Sequence, residues 1–178
     1  MNHIAEILGI SKKTIYVEFL NKEQLITESI IYDLQQRKEA FDKDEKKISN
    51  TMEALLFMSS EVVRYHSNIC PAFYKDILRF PQAIKQMEDF RKEIEIRCYK
   101  HFLNGVEEGL FLSDQNYKQI AEIFVNEPSL TADNQSVLLI VFLRGVCTPA
   151  GELELKRIHL KKDPITNSPT YQNRLSIS

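Results

Sequence analysis

Few residues in this sequence can interrupt a helix. The chain of 178 residues contains only five glycines and six prolines. Between these residues the apolar side chains recur at steps of three and four, which is the period of an α-helix. We therefore predict an all-α fold.

One apolar segment leaves a second interpretation open. Residues 137–143, VLLIVFL, are seven consecutive apolar residues, and such a run fits a buried strand as well as a helix. No partner strand is visible elsewhere in the sequence. A helix that is buried on most sides is therefore favoured.

Size and charge narrow the class of protein. A chain of 178 residues with 43% hydrophobic residues can bury a substantial core in one or two compact domains. Residues 137–143 are the longest apolar run and are too short to cross a bilayer, and no basic leader opens the sequence. We expect a cytoplasmic protein without a membrane partner. The formal net charge of −2 argues against a strong overall attraction to nucleic acid or to an anionic membrane, although a local patch can still bind.

The residues that usually carry catalysis or metal binding are scattered. Cys70, Cys98 and Cys147 are odd in number and lack CxxC spacing, so we predict buried thiols rather than a disulfide or zinc site. The four histidines show no HExxH spacing, and no glycine-rich phosphate loop is present. We predict neither an enzyme nor a bound cofactor.

The first residues of the chain predict a short helix and a stop. Residues 3–8 follow the helical period, and Gly9 tolerates the left-handed conformation in which helices end. The side chains predicted to face inward are Ile4, Ala5 and Leu8.

A second short helix follows this stop. Ser11 is placed to cap it, and Ile15 and Phe19 share its packing face. Two short helices joined by a tight turn are the pattern of a helix-turn-helix. The residues that project away from the packing face are Lys12, Lys13, Thr14 and Tyr16.

A third helix has a well-specified start. Asn21 can cap its first turn, and Gln24 at the third helical position can reach back. Leu20 and Leu25 are spaced to form a hydrophobic staple. The charged stretch DKDEKK, residues 42–47, predicts a break and a domain boundary near it.

The rest of the chain predicts further helices and a tail. We predict a central helix through residues 52–65, and Pro71 and Pro81 sit well at first helical positions. The segment after Lys162 is rich in Pro, Ser and Asn and predicts little structure. The remaining predicted helices are 71–79, 82–108, 117–125 and 135–146.

The segment IAEILGISKKTIYVEFLNKEQL, residues 4–25, closely resembles the DNA-binding segment of the TetR family of bacterial transcriptional repressors. The family pattern has an Ile-Ala pair, a Gly-Ile-Ser turn, a recognition helix with an aliphatic-Tyr pair and a following Phe, then Lys-Glu and an aliphatic residue. The matching residues are Ile4, Ala5, Gly9, Ile10, Ser11, Ile15, Tyr16, Phe19, Lys22, Glu23 and Leu25.

The resemblance implies a ligand-responsive repressor that acts as a homodimer on double-stranded operator DNA. It implies three parts: residues 1–45, a helix-turn-helix DNA-binding domain; residues 46–162, a helical-bundle domain for ligand binding and dimerisation; and residues 163–178, a tail. In the family a further helix and a basic arm precede this motif. Because Met1 falls almost on the second helix of the pattern, we predict that the DNA-binding domain is incomplete.

Residue chemistry agrees with the DNA contacts that the resemblance implies. Amines and hydroxyls in the first turns of a short helix can meet the acceptors on base edges in the major groove. A tyrosine and a lysine at a helix N-terminus can hold phosphates. The alternative is that the lysine pair is a solvated face and the tyrosine a half-buried aromatic. The predicted DNA-binding residues are Ser11, Lys12, Lys13, Thr14, Tyr16 and Lys22.

One local departure from the family pattern concerns Val17 and Glu18. Many relatives carry an aromatic or basic residue near these positions, facing the DNA backbone. A carboxylate there would repel phosphate, so the sequence leaves the affinity and the operator open.

The central helices are rich in aromatic residues and methionine. Such residues are most often core, and the alternative is a cavity of roughly 300 to 1,000 Å³ for an apolar effector. The resemblance implies that second role. The predicted pocket residues are Phe57, Met58, Tyr65, Phe73, Tyr74, Phe80, Met87, Phe90 and Phe102.

The apolar run 137–143 also predicts self-association. On a helix its side chains point all the way round, so one bundle face cannot bury them all. Pairing two subunits through this helix and 117–125 would cover the remainder, whereas a helix enclosed within one subunit is the alternative. The predicted interface residues are Ile120, Phe124, Leu139, Phe142 and Val146.

The runner-up function is a helical ligand-binding or interaction protein that has lost DNA binding. An in-frame upstream extension encoding an apolar-striped helix and a basic arm would favour the repressor. An in-frame stop codon would favour the runner-up.

Overall fold

The structure is a computed structural model that describes residues 1–48, 50–67, 71–127 and 135–160. Within these ranges the fold is all-α, and the β-type pairing is one isolated antiparallel bridge between Phe111 and Cys147. The described helices are α1 (Asn2–Ile7), α2 (Lys12–Glu18), α3 (Lys22–Glu45), α4 (Thr51–Ser67), α5 (Pro71–Ile77), α6 (Pro81–Glu107), α7 (Tyr117–Asn126), α8 (Gln135–Arg144) and α9 (Pro149–Leu160).

The all-α prediction is confirmed, including the helical assignment of the apolar run, which lies in α8. The prolines stand where the sequence predicts, since Pro71 begins α5 and Pro81 begins α6. The charged stretch 42–47 differs from its prediction, because α3 continues through its first four residues. The predicted tail 163–178 lies outside the described residues.

The predicted helices do not include α9, although its first residues carry a start signal. Thr148 accepts a hydrogen bond from the backbone N–H of Gly151 at 3.1 Å, and Pro149 occupies the first helical position. A side chain at Gly151 has no room, because a Cβ would lie 2.0 Å from the carbonyl oxygen of Leu110. Thr148 also donates to the Gly109 carbonyl at 2.7 Å, which joins the start of α9 to the end of α6.

The described residues form two compact units. The first unit contains Met1–Ala40 and Ile69–Arg91, and the second contains Phe41–Asn68 and Lys92–Ser178. Two of the three boundaries fall inside α3 and α6, so each of these helices contributes to both units. The predicted domains 1–45 and 46–162 divide the chain differently and remain a prediction.

The second unit is built around α4. This helix packs against α7 and α9, and α8 packs against α9. Its apolar side includes Met52, Leu55 and Met58, which are fully buried. Polar contacts fix its first turn, because Asn50 donates to Glu154 of α9 at 2.7 Å and Thr51 donates to Glu108 at 2.6 Å. The core of this unit therefore includes residues of α4, α7 and α9, together with Phe102 of α6 and Leu139 of α8.

A charge cluster ties the last turn of α3 to α6 inside the second unit. The Arg97 guanidinium donates to Asp42 at 2.5 Å and to Glu45 at 3.2 Å. It also donates to Glu93 at 2.9 Å and lies 5.2 Å from the centroid of the Phe41 ring. Burial acts to lower the pKa of Arg97, but the hydrogen bonds to Asp42 and Glu93 outweigh it, so the pKa is raised. These contacts explain why α3 continues into the charged stretch.

The described cysteines are buried and free. Cys98 lies 3.8 Å from the sulfur of Met58, and burial raises the pKa of its thiol. Burial also raises the pKa of Cys147, to about 11, with a further contribution from Glu152. Both thiols are therefore protonated at neutral pH, as expected for buried structural residues. Cys70 lies outside the described residues.

Among the described helices, none combines the length and the apolar content that crossing a bilayer requires.

Candidate nucleic-acid interface

The first unit contains the turn that the sequence predicts between two short helices. Helices α1 and α2 contact each other, and each buries one small inner face, through Ala5 and Ile15. Gly9 lies between them with a φ of +63°, in the left-handed region where a β-carbon is strained. The Ile10 N–H donates to the Ala5 carbonyl at 3.0 Å and closes the turn. The backbone is that of a helix-turn-helix.

Ser11 and Thr14 start the second helix. The Ser11 hydroxyl accepts a hydrogen bond from the Thr14 backbone N–H at 3.0 Å, and the two hydroxyl oxygens are 2.8 Å apart. Ser11 is therefore the N-cap that the sequence predicts. Both residues were predicted DNA contacts, and in the structure their hydroxyls also fix where α2 begins.

The outward face of α2 carries the two lysines. Lys12 and Lys13 are exposed, and neither pairs with an acidic side chain in the part of the chain that the structure describes. At 100° per residue, Lys13 and Val17 lie opposite the buried Ile15. Val17 is 75% exposed and Tyr16 is 43% exposed. The exposed surface of α2 thus combines two positive charges, an aromatic ring and an aliphatic side chain.

Lys22 is the first residue of a capped helix, and its side chain contacts an aromatic ring. Asn21 accepts from the Gln24 N–H at 2.8 Å, and the Gln24 side chain accepts from the Leu20 N–H at 2.7 Å, so the start of α3 is capped as predicted. The Lys22 ammonium lies 5.6 Å from the centroid of the Phe80 ring. No sequence pattern predicts this pairing, because the two residues are far apart in the chain, and Phe80 is among the predicted pocket residues instead.

Several apolar predictions for the first unit are wrong. Ile4 is 37% exposed and Leu8 is 60% exposed, so of the three side chains predicted to face inward in α1 only Ala5 is buried. The hydrophobic staple also fails, because Leu20 is 86% exposed and cannot pack against Leu25. The contact between α1 and α2 buries only a narrow face, so Ile4 and Leu8 remain in contact with solvent.

The predicted pocket residues are divided between the two units. In the second unit Met58 and Phe102 are fully buried and Phe57 packs on Phe41, with ring centroids 5.2 Å apart. In the first unit the exposure of the described pocket residues varies, since Met87 is buried and Phe73 is 42% exposed. Phe80 and Phe90, also in the first unit, are partly buried. The side chains of Tyr65 and Tyr74 lie outside the described residues.

The predicted interface residues are mostly core residues of the single chain. Phe124 and Leu139 are each 2% exposed and Val146 is 7% exposed, while Ile120 and Phe142 are partly buried. A partner subunit cannot contact side chains that the chain itself covers. The apolar residues that α7 and α8 leave exposed are instead Ile123, Val137, Leu138 and Val141.

Over most of its length the chain has the fold of a solved transcriptional regulator. That structure is of the ketosteroid transcriptional regulator KstR2 of Mycobacterium tuberculosis. The TM-score is 0.59 at 18% sequence identity, and the superposition covers 82% of this chain and 83% of that chain. At this identity the similarity establishes the fold. No family model matches the sequence, and no curated protein matches it significantly.

Proposed function

We propose that this chain is a DNA-binding transcriptional regulator of the TetR family, a cytoplasmic repressor released from its operator by a small apolar effector. One observation carries the proposal: α2 begins at a Ser11 cap directly after the Gly9 turn and presents Lys12 and Lys13 to solvent without acidic partners among the described residues. The fold shared with a transcriptional regulator supports it.

The roles of the residues follow from their positions. In the proposed complex α2 enters the major groove, where Lys12, Lys13 and Thr14 in its first turn meet base edges. Tyr16 and Lys22 contact phosphates on either side of the groove and fix the register of the protein on the duplex. Residues 1–45 form the DNA-binding domain in this proposal, and residues 46–162 form the regulatory and dimerisation domain.

Two lysine substitutions test the assignment of these roles. Lys22→Ala is expected to weaken binding to all sequences alike and to lower the magnitude of the salt slope by about one, because one phosphate contact is lost. Lys13→Ala is expected to weaken binding and also to relax the preference at one base pair. A preferred duplex is first selected from a random-sequence pool. Binding of each variant to this duplex is then titrated at several salt concentrations.

Lys118→Ala is the matched control, because it removes the same charge from an exposed position on α7. This variant should bind as the wild type does. Equal losses in all three variants would show that only net charge matters and would remove the assignment to α2. Unchanged affinity in Lys22→Ala and Lys13→Ala would remove it as well.

Dimerisation is part of the proposal, with a revised contact surface. Val137 and Val141 are 65% and 60% exposed and lie one turn apart on α8, and Leu138 beside them is 43% exposed. A contiguous apolar strip of this kind on a water-soluble chain marks an association surface. A two-fold pairing would cover the strip on both subunits with one contact.

The effector is the third element of the proposal. Its apolar character rests on the predicted pocket residues and on the ketosteroid named for KstR2. An effector must have different affinities for the DNA-bound and free states to change the occupancy of the operator. A ketosteroid that raises the melting temperature is expected to weaken operator binding by about 1 to 3 kcal/mol of coupling free energy. A stabilising ligand that leaves the gel shift unchanged would separate ligand binding from regulation.

A second candidate function is a helical ligand-binding or interaction protein without DNA binding. The exposed carboxylate of Glu18 in the last turn of α2 favours it, because a negative charge there would repel phosphate. The two functions differ in one measurement. Failure to bind any duplex at low salt, in a folded protein, would favour the second candidate.

A further inference from the structure

The environment of Phe80 suggests a role beyond packing. Its backbone is fixed on both sides, since its N–H donates to the Ile77 carbonyl at 2.8 Å and its carbonyl accepts from Ile84 at 3.1 Å. The flanking residues Ile77 and Ala83 are buried, at 2% and 0% exposure. The ring therefore projects from a hydrogen-bonded junction between α5 and α6.

Lys22 faces this ring from the capped start of α3. It is the first residue of α3, directly after the Asn21 cap, and it has no acidic partner within the described residues. Its ammonium lies 5.6 Å from the ring centroid, within the range of a cation–π contact. Both residues belong to the first unit.

We propose that Phe80 is a positioning residue for DNA binding, whose ring holds the Lys22 ammonium where it can meet a phosphate of the duplex. A surface lysine normally loses side-chain entropy when it binds, and a group ordered beforehand loses less. The ring covers one side of the ammonium, so its N–H donors on the other side stay available for phosphate oxygens. This role rests on the proposed function and extends it to a residue of the α5–α6 junction.

A double-mutant cycle measures this role. Four proteins are titrated with a mixed-sequence DNA duplex at several salt concentrations. They are the wild type, Phe80→Leu, Lys22→Ala and the double variant. Phe80→Leu is expected to weaken binding by up to about fivefold in the wild-type background, because the ordering that the ring supplies cannot be worth more than an exposed cation–π contact. In the Lys22→Ala background it should cause no further loss, because the ammonium that the ring positions is gone.

Two further variants separate positioning from packing. Phe80→Tyr keeps an aromatic face and should bind as the wild type does. Leu78→Ala alters a side chain two residues away that is 65% exposed, and it should also leave binding unchanged. Three outcomes would each overturn the proposal. Phe80→Leu could weaken binding equally in both backgrounds, it could weaken binding in neither, or Phe80→Tyr could bind as weakly as Phe80→Leu.

A measurement without DNA tests the contact itself. In the free wild-type protein the ε-methylene protons of Lys22 should show an upfield ring-current shift in the NMR spectrum, and Phe80→Leu should abolish it. Random-coil shifts in the wild type would overturn the proposal even in a protein that binds DNA. A wild type that shows the ring-current shift but binds no duplex would instead overturn the proposed function, and the positioning role with it.

Discussion

Leu139→Glu is expected to unfold the second unit or to lower its free energy of unfolding by about 4 kcal/mol, because it places a carboxylate in an apolar core. Leu139 is only 2% exposed, and Leu143 one turn further along α8 is fully buried. Thermal denaturation followed by circular dichroism measures the effect.

Val141→Glu is the matched variant, because it adds the same charge to the same helix at a position that is 60% exposed. The carboxylate remains hydrated in the isolated chain, so we expect the fold and the melting temperature of the monomer to be kept. In a dimer that pairs through Val137, Leu138 and Val141, the same charge is buried at the interface. The dimer should therefore dissociate into folded monomers, which light scattering reports as a halved mass.

Leu139→Glu should unfold the second unit while Val141→Glu leaves it folded only if Leu139 is buried and Val141 is exposed, as in the structure. A folded Leu139→Glu protein with wild-type stability would contradict the burial of that side chain. A Val141→Glu protein that keeps the mass of two chains would exclude the exposed strip as the contact. A wild type with the mass of one chain at micromolar concentration would remove the dimer from the proposal.

The features that the sequence predicts best are those set by local chemistry. Ser11, Asn21 and Pro81 start helices in the structure because capping and the fixed φ of proline act within one turn. Gly9 has the positive φ that its place in the turn requires. The start of α9 at Thr148 carried the same type of signal, so this helix was predictable.

The predictions that failed depend on contacts between distant parts of the chain. A run of seven apolar residues contains no information about which side faces the core. Contacts of α8 with distant elements, such as α9 and Phe124 of α7, decide which of its side chains are buried, as Leu139 is, and which are exposed, as Val141 is. The extension of α3 past Phe41 depends on Arg97 of α6. The contact between Lys22 and Phe80 likewise joins residues that no local pattern connects.

Phe102→Ala is expected to lower the free energy of unfolding by about 3 to 5 kcal/mol, the usual cost of removing a fully buried ring. The Phe102 ring is 0% exposed. Its centroid lies 5.5 Å from that of Phe111, 5.4 Å from Tyr117 and 5.8 Å from Phe124, which meets it edge-on. The adjacent Leu103 is 38% exposed, and Leu103→Ala should cost less than about 1 kcal/mol. Urea denaturation compares the two variants.

The size of this loss also distinguishes core from effector pocket, the two roles that the sequence left open for Phe102. A ring that lines an existing cavity already lacks contacts on one side, so its removal should cost less than about 2 kcal/mol. In a packed core the full loss appears, and the new apolar cavity can bind a small ligand such as benzene. Saturating benzene should then stabilise Phe102→Ala and leave the wild type unchanged. Stabilisation of the wild type by benzene, together with a small loss in the variant, would instead support a pocket beside Phe102.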